Sequence, residues 1–361
     1  MDRPPARTPG RAAGYNPPNR FDRLAAEAVP DGWPGDGAAL PPLRTEVTVE
    51  RPRSVITRNT SPDIGFDRSI NPYRGCEHGC IYCFARPSHA YLGLSPGLDF
   101  ETRLIARPGA AEVLARELAR RSYRPAVIAI GTNTDPYQPI EREHRVMRAV
   151  LEVLWEHRHP VGIVTKGAGI ERDLDILSRM AAENLVRVGI SVTTLDPVLA
   201  RRMEPRVPAP ERRLATIARL AAAGVPVRAM VAPVIPALTD AEIEAILARA
   251  AGAGAVAAGW VMLRLPREVA PLFRDWLARH YPGRAARVMA RVREMHGGRD
   301  YAADWGRRMR GEGEYARMIG ARFRLAAARL GLARDLPPLA TDRFRVPPRQ
   351  GDQLSLFGAG G

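Results

Sequence analysis

Short apolar segments rich in β-branched residues alternate with amphipathic segments through the middle of this chain, and this alternation restricts the possible folds. The apolar segments, interpreted as buried strands, cover residues 127–130, 161–164, 186–192, 225–231 and 260–263. The amphipathic segments, interpreted as helices, lie near residues 109–121, 140–158, 170–183, 210–223 and 239–253. Strands that alternate with helices predict an α/β fold with a parallel sheet, either a barrel or a doubly wound sheet. If residues 70–74 form a first strand, the sheet has six.

The chain contains three cysteines, Cys76, Cys80 and Cys83, with the spacing CxxxCxxC directly after the first predicted strand. Ligands of parallel α/β sheets bind at the carboxyl ends of the strands, so this position favours a functional site. Three thiols cannot pair completely as disulfides, and the proline- and arginine-rich start of the chain contains no apolar signal segment. We therefore expect a cytoplasmic protein whose cysteine loop binds a metal.

Two kinds of metal site fit these thiols. Three thiolates can hold a [4Fe-4S] cluster by three of its irons and leave the fourth iron open for another ligand. The alternative is a zinc ion bound by the three thiolates and by His78 or His89, although structural zinc sites usually collect their ligands as two separated pairs.

With Tyr82 just before the last cysteine, the CxxxCxxC motif resembles the signature of radical S-adenosylmethionine (radical SAM) enzymes. The longer context, residues 75–86 followed by Gly-Thr-Asn-Thr-Asp-Pro-Tyr-Gln-Pro at 131–139, resembles the branch of that family that contains spore photoproduct lyase. The resemblance covers residues 54–266, approximately. It implies a partial parallel (β/α)6 TIM-like barrel with a [4Fe-4S] cluster in the loop after the first strand. It also implies that the open iron chelates S-adenosylmethionine, which an electron from an external donor cleaves to a 5′-deoxyadenosyl radical.

The predicted strand ends supply candidate contacts for S-adenosylmethionine. The polar turn at 131–135 follows the second strand, where it can contact the cofactor, cap the next helix, or do both. Lys166 follows the third strand and is the only lysine of the chain; a compact ammonium group at a strand end, where the chain otherwise uses arginine, indicates a site contact. The resemblance implies the same role for Lys166, for the serine of the fourth strand, and for Tyr82 against the adenosyl group. The expected contacts are Tyr82, Thr132, Asn133, Asp135, Lys166 and Ser191.

The chain departs from the lyase pattern at two positions. Spore photoproduct lyase uses a further cysteine near the end of its second strand as a hydrogen donor, and this chain has no cysteine outside 76–83. A tyrosine that follows the third cluster cysteine in the lyase is Phe84 here. The sequence therefore names no catalytic residue, and three functions stay open: a radical enzyme acting on nucleic acid, one acting on a protein or small molecule, and an iron–sulfur redox sensor or binding module.

The charge of the chain bears on its partner. Its formal net charge is +15, which favours a polyanion such as nucleic acid or reflects an arginine-biased composition. Arg206, Arg212 and Arg213 can pair with a carboxylate or phosphate, or form an exposed helix face. Residues 267–330 are predicted to close the barrel with a solvated basic face, or to follow a phosphate backbone and stack bases. Their interleaved aromatic residues are Trp276, Tyr281, Tyr301, Trp305 and Tyr315.

The predicted organisation has four parts. Residues 1–45 form a flexible Pro/Arg-rich arm, 46–266 the barrel core, 267–336 a basic helical extension and 337–361 a flexible tail. No apolar run is long enough to span a membrane. The tail contains Gln353-Leu-Ser-Leu-Phe357, which resembles the peptide by which bacterial proteins bind the polymerase β sliding clamp. Such a peptide would place Leu356 and Phe357 in an apolar cleft, with Gln353 and Leu354 beside it; alternatively, the tail docks on the protein's own surface.

Overall fold

The computed structural model describes residues 10–22 and 43–348. The strands are β1 (Glu46–Val49), β2 (Thr57–Arg58), β3 (Arg68–Ile70), β4 (Tyr73–Arg74), β5 (Arg103–Ala106), β6 (Ile128–Ile130), β7 (Val161–Thr165), β8 (Val186–Ser191), β9 (Val227–Val234) and β10 (Ala257–Met262). The α-helices are α1 (Asp99–Thr102), α2 (Ala110–Leu118), α3 (Glu141–His144), α4 (Val146–Glu156), α5 (Leu174–Ala182), α6 (Pro197–Met203), α7 (Pro210–Ala222), α8 (Ile243–Gly252), α9 (Val269–His280), α10 (Pro282–Met295) and α11 (Gly313–Arg329). Short 3-10 helices cover Arg86–Leu92, Ala168–Asp173 and Asp240–Glu242.

Seven strands form the main sheet in the order β10-β9-β8-β7-β6-β3-β2. All neighbours from β3 to β10 are parallel, and β2 joins β3 antiparallel. The six parallel strands follow one another in chain order, whereas a doubly wound sheet reverses its order at a switch point. Within the described residues β10 and β2 do not pair with each other. The α/β fold with an open, barrel-like parallel sheet is therefore confirmed.

Five of the six predicted strands appear close to their expected positions, and the first differs. The predicted strand 70–74 is divided between two sheets: β3 lies in the main sheet, and β4 pairs with β5 in a small sheet of order β1-β5-β4. Pro72 lies between the two parts and has no N–H with which to continue a ladder. The division turns the chain out of the barrel just before the cysteines.

The sheet and its helices enclose one large core. Side chains of the strands are buried on both faces, as in β6, where the neighbouring residues Ile128 and Ala129 are 0% and 7% exposed, because helices cover the outer face. Leu114 of α2, Leu151 of α4 and Leu247 of α8 pack into the same core. The apolar stripes of the predicted helices therefore face the sheet.

A second core joins the cysteine loop to α6, α9 and α10, with Ile81 and Trp276 among its fully buried residues. Residues Ala12 and Ala13 also belong to it. The stretch 10–22 thus packs against the body of the protein, unlike the flexible arm that its composition predicts. The backbone N–H groups of Ala12 and Ala13 donate to the buried carboxylate of Glu101, which holds this stretch against the body of the protein.

The C-terminal extension covers the exposed edge of β10. The N–H of Met262 donates to Met309 O at 2.9 Å, and the N–H of Ala258 donates to Ala333 O at 3.0 Å. Phe323 of α11 packs near Trp260, with ring centroids 6.0 Å apart. These contacts occupy backbone groups that would otherwise be an open strand edge. Among the described residues, no helix is both long and apolar enough to cross a membrane.

Candidate active site

The three cysteines lie on a tight loop at the carboxyl side of β3 and β4. Cys76 and Cys80 are 6% and 8% exposed, and Cys83 is half-buried. Gly79, between the first two, has φ +65°, and a Cβ there would lie 2.6 Å from Glu101 Oε2. Only glycine fits both the left-handed backbone and the close approach.

Neighbouring segments hold the backbone of this loop from several sides. The N–H of Cys76 donates to Phe100 O at 2.9 Å, and the N–H of Ile81 donates to Met203 O at 3.0 Å. Gln138 binds twice: its Oε1 accepts from the N–H of Glu77 at 2.7 Å, and its Nε2 donates to Gly75 O at 3.2 Å. The loop is therefore a fixed part of the structure.

A buried ion pair between Arg86 and Glu101 lies behind the loop, and both side chains are 0% exposed. The Arg86 guanidinium also donates to the carbonyls of Gly79, Cys80, Pro96 and Gly97, at 2.9 to 3.1 Å. Glu101 accepts from the N–H groups of the 10–22 stretch described above. Sequence reasoning missed Glu101, because its partners are distant in the chain.

The thiols suit a [4Fe-4S] cluster better than one zinc ion. In the part of the chain that the structure describes, no three or more His, Cys, Asp or Glu side chains gather around a single metal position; a cluster instead takes each thiolate on a different iron. Each of the two candidate imidazoles has one ring nitrogen engaged by another residue, and His89 Nδ1 has no hydrogen-bond partner among the described residues. His78 Nδ1 lies 3.3 Å from Asp135 Oδ2, and His89 Nε2 contacts Arg103 O at 2.9 Å.

Burial raises the pKa of all three thiols, and the Lys166 ammonium opposes this rise at Cys80 and Cys83. Metal binding requires thiolates, so a bound cluster would supply the positive charge that makes deprotonation favourable. Donor number, spacing on one loop and shielding from water all fit the cluster.

Asp135, predicted as a cofactor contact, connects three loops. Its Oδ1 accepts from Thr165 Oγ1 at 2.5 Å and its Oδ2 from the N–H of Lys166 at 2.7 Å. Burial acts to raise the pKa of this carboxyl, but His78 and the hydrogen bonds outweigh burial and lower it to about 2. Thr132 and Asn133 lie half-buried in the same turn. Contact of these three residues with S-adenosylmethionine stays a prediction.

Lys166 follows β7 and lies near Tyr82 of the cysteine loop, and Ser191 ends the neighbouring strand β8. The Lys166 Nζ lies 5.8 Å from the centroid of the Tyr82 ring, and Ser191 is 3% exposed. The Tyr82 hydroxyl bonds to Glu204 and lies 3.2 Å from Thr193 Oγ1. The structure thus brings Asp135 and Lys166 close to the cysteine loop, while the role of all the predicted residues as cofactor contacts stays a prediction.

The three candidate arginines pair with the protein's own carboxylates. Arg213 is fully buried and binds Glu204, whose pKa falls because Arg213 and Lys166 outweigh the effect of burial. The other two pairs are Arg212 with Glu171 at 2.5 Å and Arg206 with Glu77 at 2.8 Å. Because the Tyr82 hydroxyl bonds to Glu204, the buried Glu204–Arg213 pair holds the Tyr82 side chain in place. Sequence reasoning missed Glu204.

A cavity of about 680 Å³ opens beside the cysteine loop, between the loops that follow β6, β7 and β8. His78 lines it, together with one carboxylate, Glu141. Six arginines contribute to its wall: Arg142, Arg145, Arg172, Arg201, Arg206 and Arg212. Arg172, Arg206 and Arg212 are paired with carboxylates, so the excess positive charge of the wall comes from the other three arginines.

The aromatic residues predicted between 267 and 330 do not act as one set. Trp276 is 0% exposed, and its indole N–H donates to Arg202 O at 3.0 Å. Tyr281 packs on Trp276, and the Tyr315 hydroxyl bonds to Asp240. Trp305 is 54% exposed. The clamp-like motif Gln353, Leu354, Leu356 and Phe357 lies outside the described residues.

Comparison with known proteins gives a family and a fold. A family model described as the radical SAM superfamily matches residues 70–250. An uncharacterized protein of Mycobacterium tuberculosis strain H37Rv is 37% identical over 354 residues, which cover 93% of this chain and 100% of the relative. An uncharacterized protein of Methanocaldococcus jannaschii is 24% identical over 173 residues, or 48% of this chain and 62% of the relative.

Among solved structures, spore photoproduct lyase complexed with dinucleoside spore photoproduct is similar, with a TM-score of 0.57 and 17% identity. The match covers 79% of this chain and 80% of the lyase. The expected relation to the lyase fold is therefore confirmed.

Proposed function

The chain belongs to the radical SAM superfamily, and from that premise we propose that its substrate is nucleic acid. As a member it is a radical SAM enzyme whose cofactors are a [4Fe-4S] cluster, on Cys76, Cys80 and Cys83, and S-adenosylmethionine. When bound, the cluster supplies the electron that cleaves S-adenosylmethionine to methionine and a 5′-deoxyadenosyl radical. An external reductant replaces that electron.

The residues of the site position and shield this chemistry. The Arg86–Glu101 pair and Gln138 hold the cysteine loop in one conformation, and the apolar residues around Ile81 exclude water from its rear. We infer that Lys166 and Ser191 bind S-adenosylmethionine at the adjoining strand ends, and that Glu204 fixes the ring of Tyr82 beside it. Pre-positioned groups of this kind are what radical transfer between two bound molecules requires.

The arginine-lined cavity is the main support for a nucleic-acid substrate. Arg142, Arg145 and Arg201 have no carboxylate within 4.0 Å among the described residues, so their charges are not neutralised inside the protein. Guanidinium groups bind phosphate in bidentate fashion and hold their charge at every physiological pH. A row of phosphates fits such a wall, and the cavity touches the cysteine loop through His78.

Two further features support a nucleic-acid substrate. The lyase that shares this fold is described with a bound dinucleoside photoproduct, and the net charge of +15 favours long-range attraction of a polyanion.

We propose a repair-related role, in which the tail motif at 353–357 recruits the enzyme to the β sliding clamp. Because no cysteine lies outside 76–83, the substrate radical receives its hydrogen from a donor other than a second thiol of this chain.

The test is anaerobic S-adenosylmethionine cleavage by the reconstituted protein, measured as 5′-deoxyadenosine with single-stranded DNA, with RNA, with heparin or with no addition. We expect nucleic acid to accelerate cleavage and heparin, a polyanion without bases, to have no such effect. Equal rates with and without nucleic acid would contradict the proposal.

A charge-matched pair of variants tests the cavity. Arg145→Gln with Arg201→Gln removes two charges from its wall, and Arg120→Gln with Arg121→Gln removes two exposed charges after α2, near the amino end of β6. For single-stranded DNA, each lost phosphate contact lowers the slope of log affinity against log salt by about 0.7. The slope of log affinity against log salt should therefore be smaller in magnitude by about 1.4 for the cavity variant than for the wild type. The control variant should have the slope of the wild type.

A further inference from the structure

A segment of the C-terminal extension, residues 300–311, bridges the two ends of the open sheet. At one end Met309 O accepts from the edge strand β10, as described above. At the other, Asp63 in the loop between β2 and β3 accepts from the N–H of Gly306 at 2.6 Å and from Arg308 Nε at 2.5 Å. We call this bridged opening between the first and sixth parallel strands the seam.

Two large aromatic side chains are exposed along the seam. Phe84, 41% exposed, directly follows the cluster ligand Cys83 in sequence, and Trp305 is 54% exposed. Each ring has a guanidinium against it: Arg264 Cζ lies 4.5 Å from the Phe84 centroid, and Arg308 Cζ lies 4.5 Å from the Trp305 centroid. Rings of this size usually bury their surface, so two exposed rings at one opening require an explanation.

Both arginines lie against the rings, and Arg264 leaves positive charge at the opening, whereas Arg308 is paired with Asp63. Arg264 donates to Tyr301 Oη at 3.4 Å and contacts Met309 Sδ at 3.6 Å, while its buried Nε has no hydrogen-bond partner. No carboxylate within the described residues lies within 4.0 Å of Arg264. A cation stacked on a ring is attracted by the π-face.

We propose that Phe84 and Trp305 stack unpaired bases of a single nucleic-acid strand at the seam, so that one base lies beside the cluster. This inference rests on the proposed function, whose evidence is the separate arginine-lined cavity. Stacking on aromatic rings next to arginines is how proteins hold single strands without reading their sequence. A duplex keeps its bases stacked on each other and presents no free base face to these rings.

The experiment measures the affinity of the full-length, cluster-reconstituted protein for fluorescein-labelled oligo-dT and for a duplex of equal length, by fluorescence anisotropy. Stacking on one aromatic ring corresponds to an affinity change of about 5- to 150-fold. Phe84→Leu and Trp305→Leu should each weaken binding of the single strand by a factor in this range, with little effect on the duplex. Phe84→Tyr keeps a ring and should bind as the wild type does.

Trp155→Leu is the matched control, because Trp155 also has a guanidinium on its ring, with Arg158 Cζ at 3.6 Å, but lies on α4 outside the sheet. It should bind the single strand as tightly as the wild type. The visible absorbance of the cluster, compared among all variants, shows whether Phe84→Leu retains the neighbouring site; Trp305→Leu tests the stacking away from the cysteines.

If Phe84→Leu and Trp305→Leu both bind the single strand as tightly as the wild type does, base stacking at the seam is refuted and the proposed function stands. Failure of the wild type to bind either nucleic acid would overturn both. Equal losses of affinity for the single strand and for the duplex would also refute base stacking, since they would indicate a general loss of the binding site.

Discussion

Glu101→Gln removes the counter-charge of Arg86 behind the cysteine loop, and we predict that it weakens the fold and the cluster site together. Both side chains are fully buried. Glutamine has nearly the same size, so the change leaves no cavity. It does leave Arg86 with four carbonyl acceptors and no anion.

The expected magnitude follows from two costs. Breaking a buried ion pair by removing one partner costs about 3–5 kcal/mol. The new amide also replaces one acceptor oxygen by a donor, so the N–H of Ala12 or Ala13 loses its acceptor, which costs about 1–3 kcal/mol. Because both costs arise from one side chain they overlap, and we expect about 3–5 kcal/mol in all. A domain is usually stable by roughly 5–15 kcal/mol, so the loss should be large.

The assay is urea unfolding of the cluster-free, thiol-reduced protein, followed by circular dichroism, with iron content measured after reconstitution. Glu244→Gln is the control, since its pair with Arg322 is half-exposed and an exposed pair contributes about 0–1 kcal/mol. We expect Glu101→Gln to lower both stability and iron content. If it cost no more than the control, the buried pair would not be what holds the loop.

Three further predictions concern pH, the cofactor and the tail. Burial lowers the pKa of His159 to about 4 in the folded protein, whereas its pKa in the unfolded chain is about 6.5. The stability that neutral His159 contributes is therefore complete above pH 6.5 and is lost as the pH falls toward 4. His159→Gln should reduce the loss of unfolding free energy between pH 7 and pH 5 by about 2 kcal/mol, and an unchanged pH dependence would disprove this. Lys166→Arg should weaken S-adenosylmethionine binding in calorimetry because a planar guanidinium cannot replace a compact ammonium, whereas equal affinity would remove Lys166 from the site. A peptide of residues 347–361 should bind purified β clamp and lose binding on Phe357→Ala; a mutant peptide that binds equally well would rule out the motif.

The fold was predictable from sequence where local pattern and burial agree. The strands β7 and β8 are mostly apolar segments rich in Val and Ile between amphipathic helices, so their place in a parallel sheet could be inferred. The first strand was not predicted correctly, because the effect of Pro72 depends on which sheet each half joins. The packing of residues 10–22 was also missed, since their polar and proline-rich composition gives no sign that Glu101 accepts their N–H groups.

The candidate site was predictable only in part, for a similar reason. The cysteine spacing and the lone lysine are visible in the sequence, and the structure brings them to one edge of the sheet. The partners Glu101 and Glu204 are isolated glutamates in sequence, and only the fold places them against Arg86 and Arg213. The arginine-lined cavity likewise depends on three loops that follow different strands.

Following one hydrogen atom shows whether the radical chemistry of this enzyme acts on nucleic acid. The reconstituted protein is incubated anaerobically with reductant, S-adenosylmethionine and a single-stranded oligonucleotide whose nucleosides carry deuterium on carbon, and the 5′-deoxyadenosine formed is analysed by mass spectrometry. We expect deuterium in 5′-deoxyadenosine, since the radical takes its hydrogen from the oligonucleotide, and no 5′-deoxyadenosine from a Cys80→Ala variant. Abundant 5′-deoxyadenosine from the wild-type protein with no deuterium from the oligonucleotide would contradict this expectation.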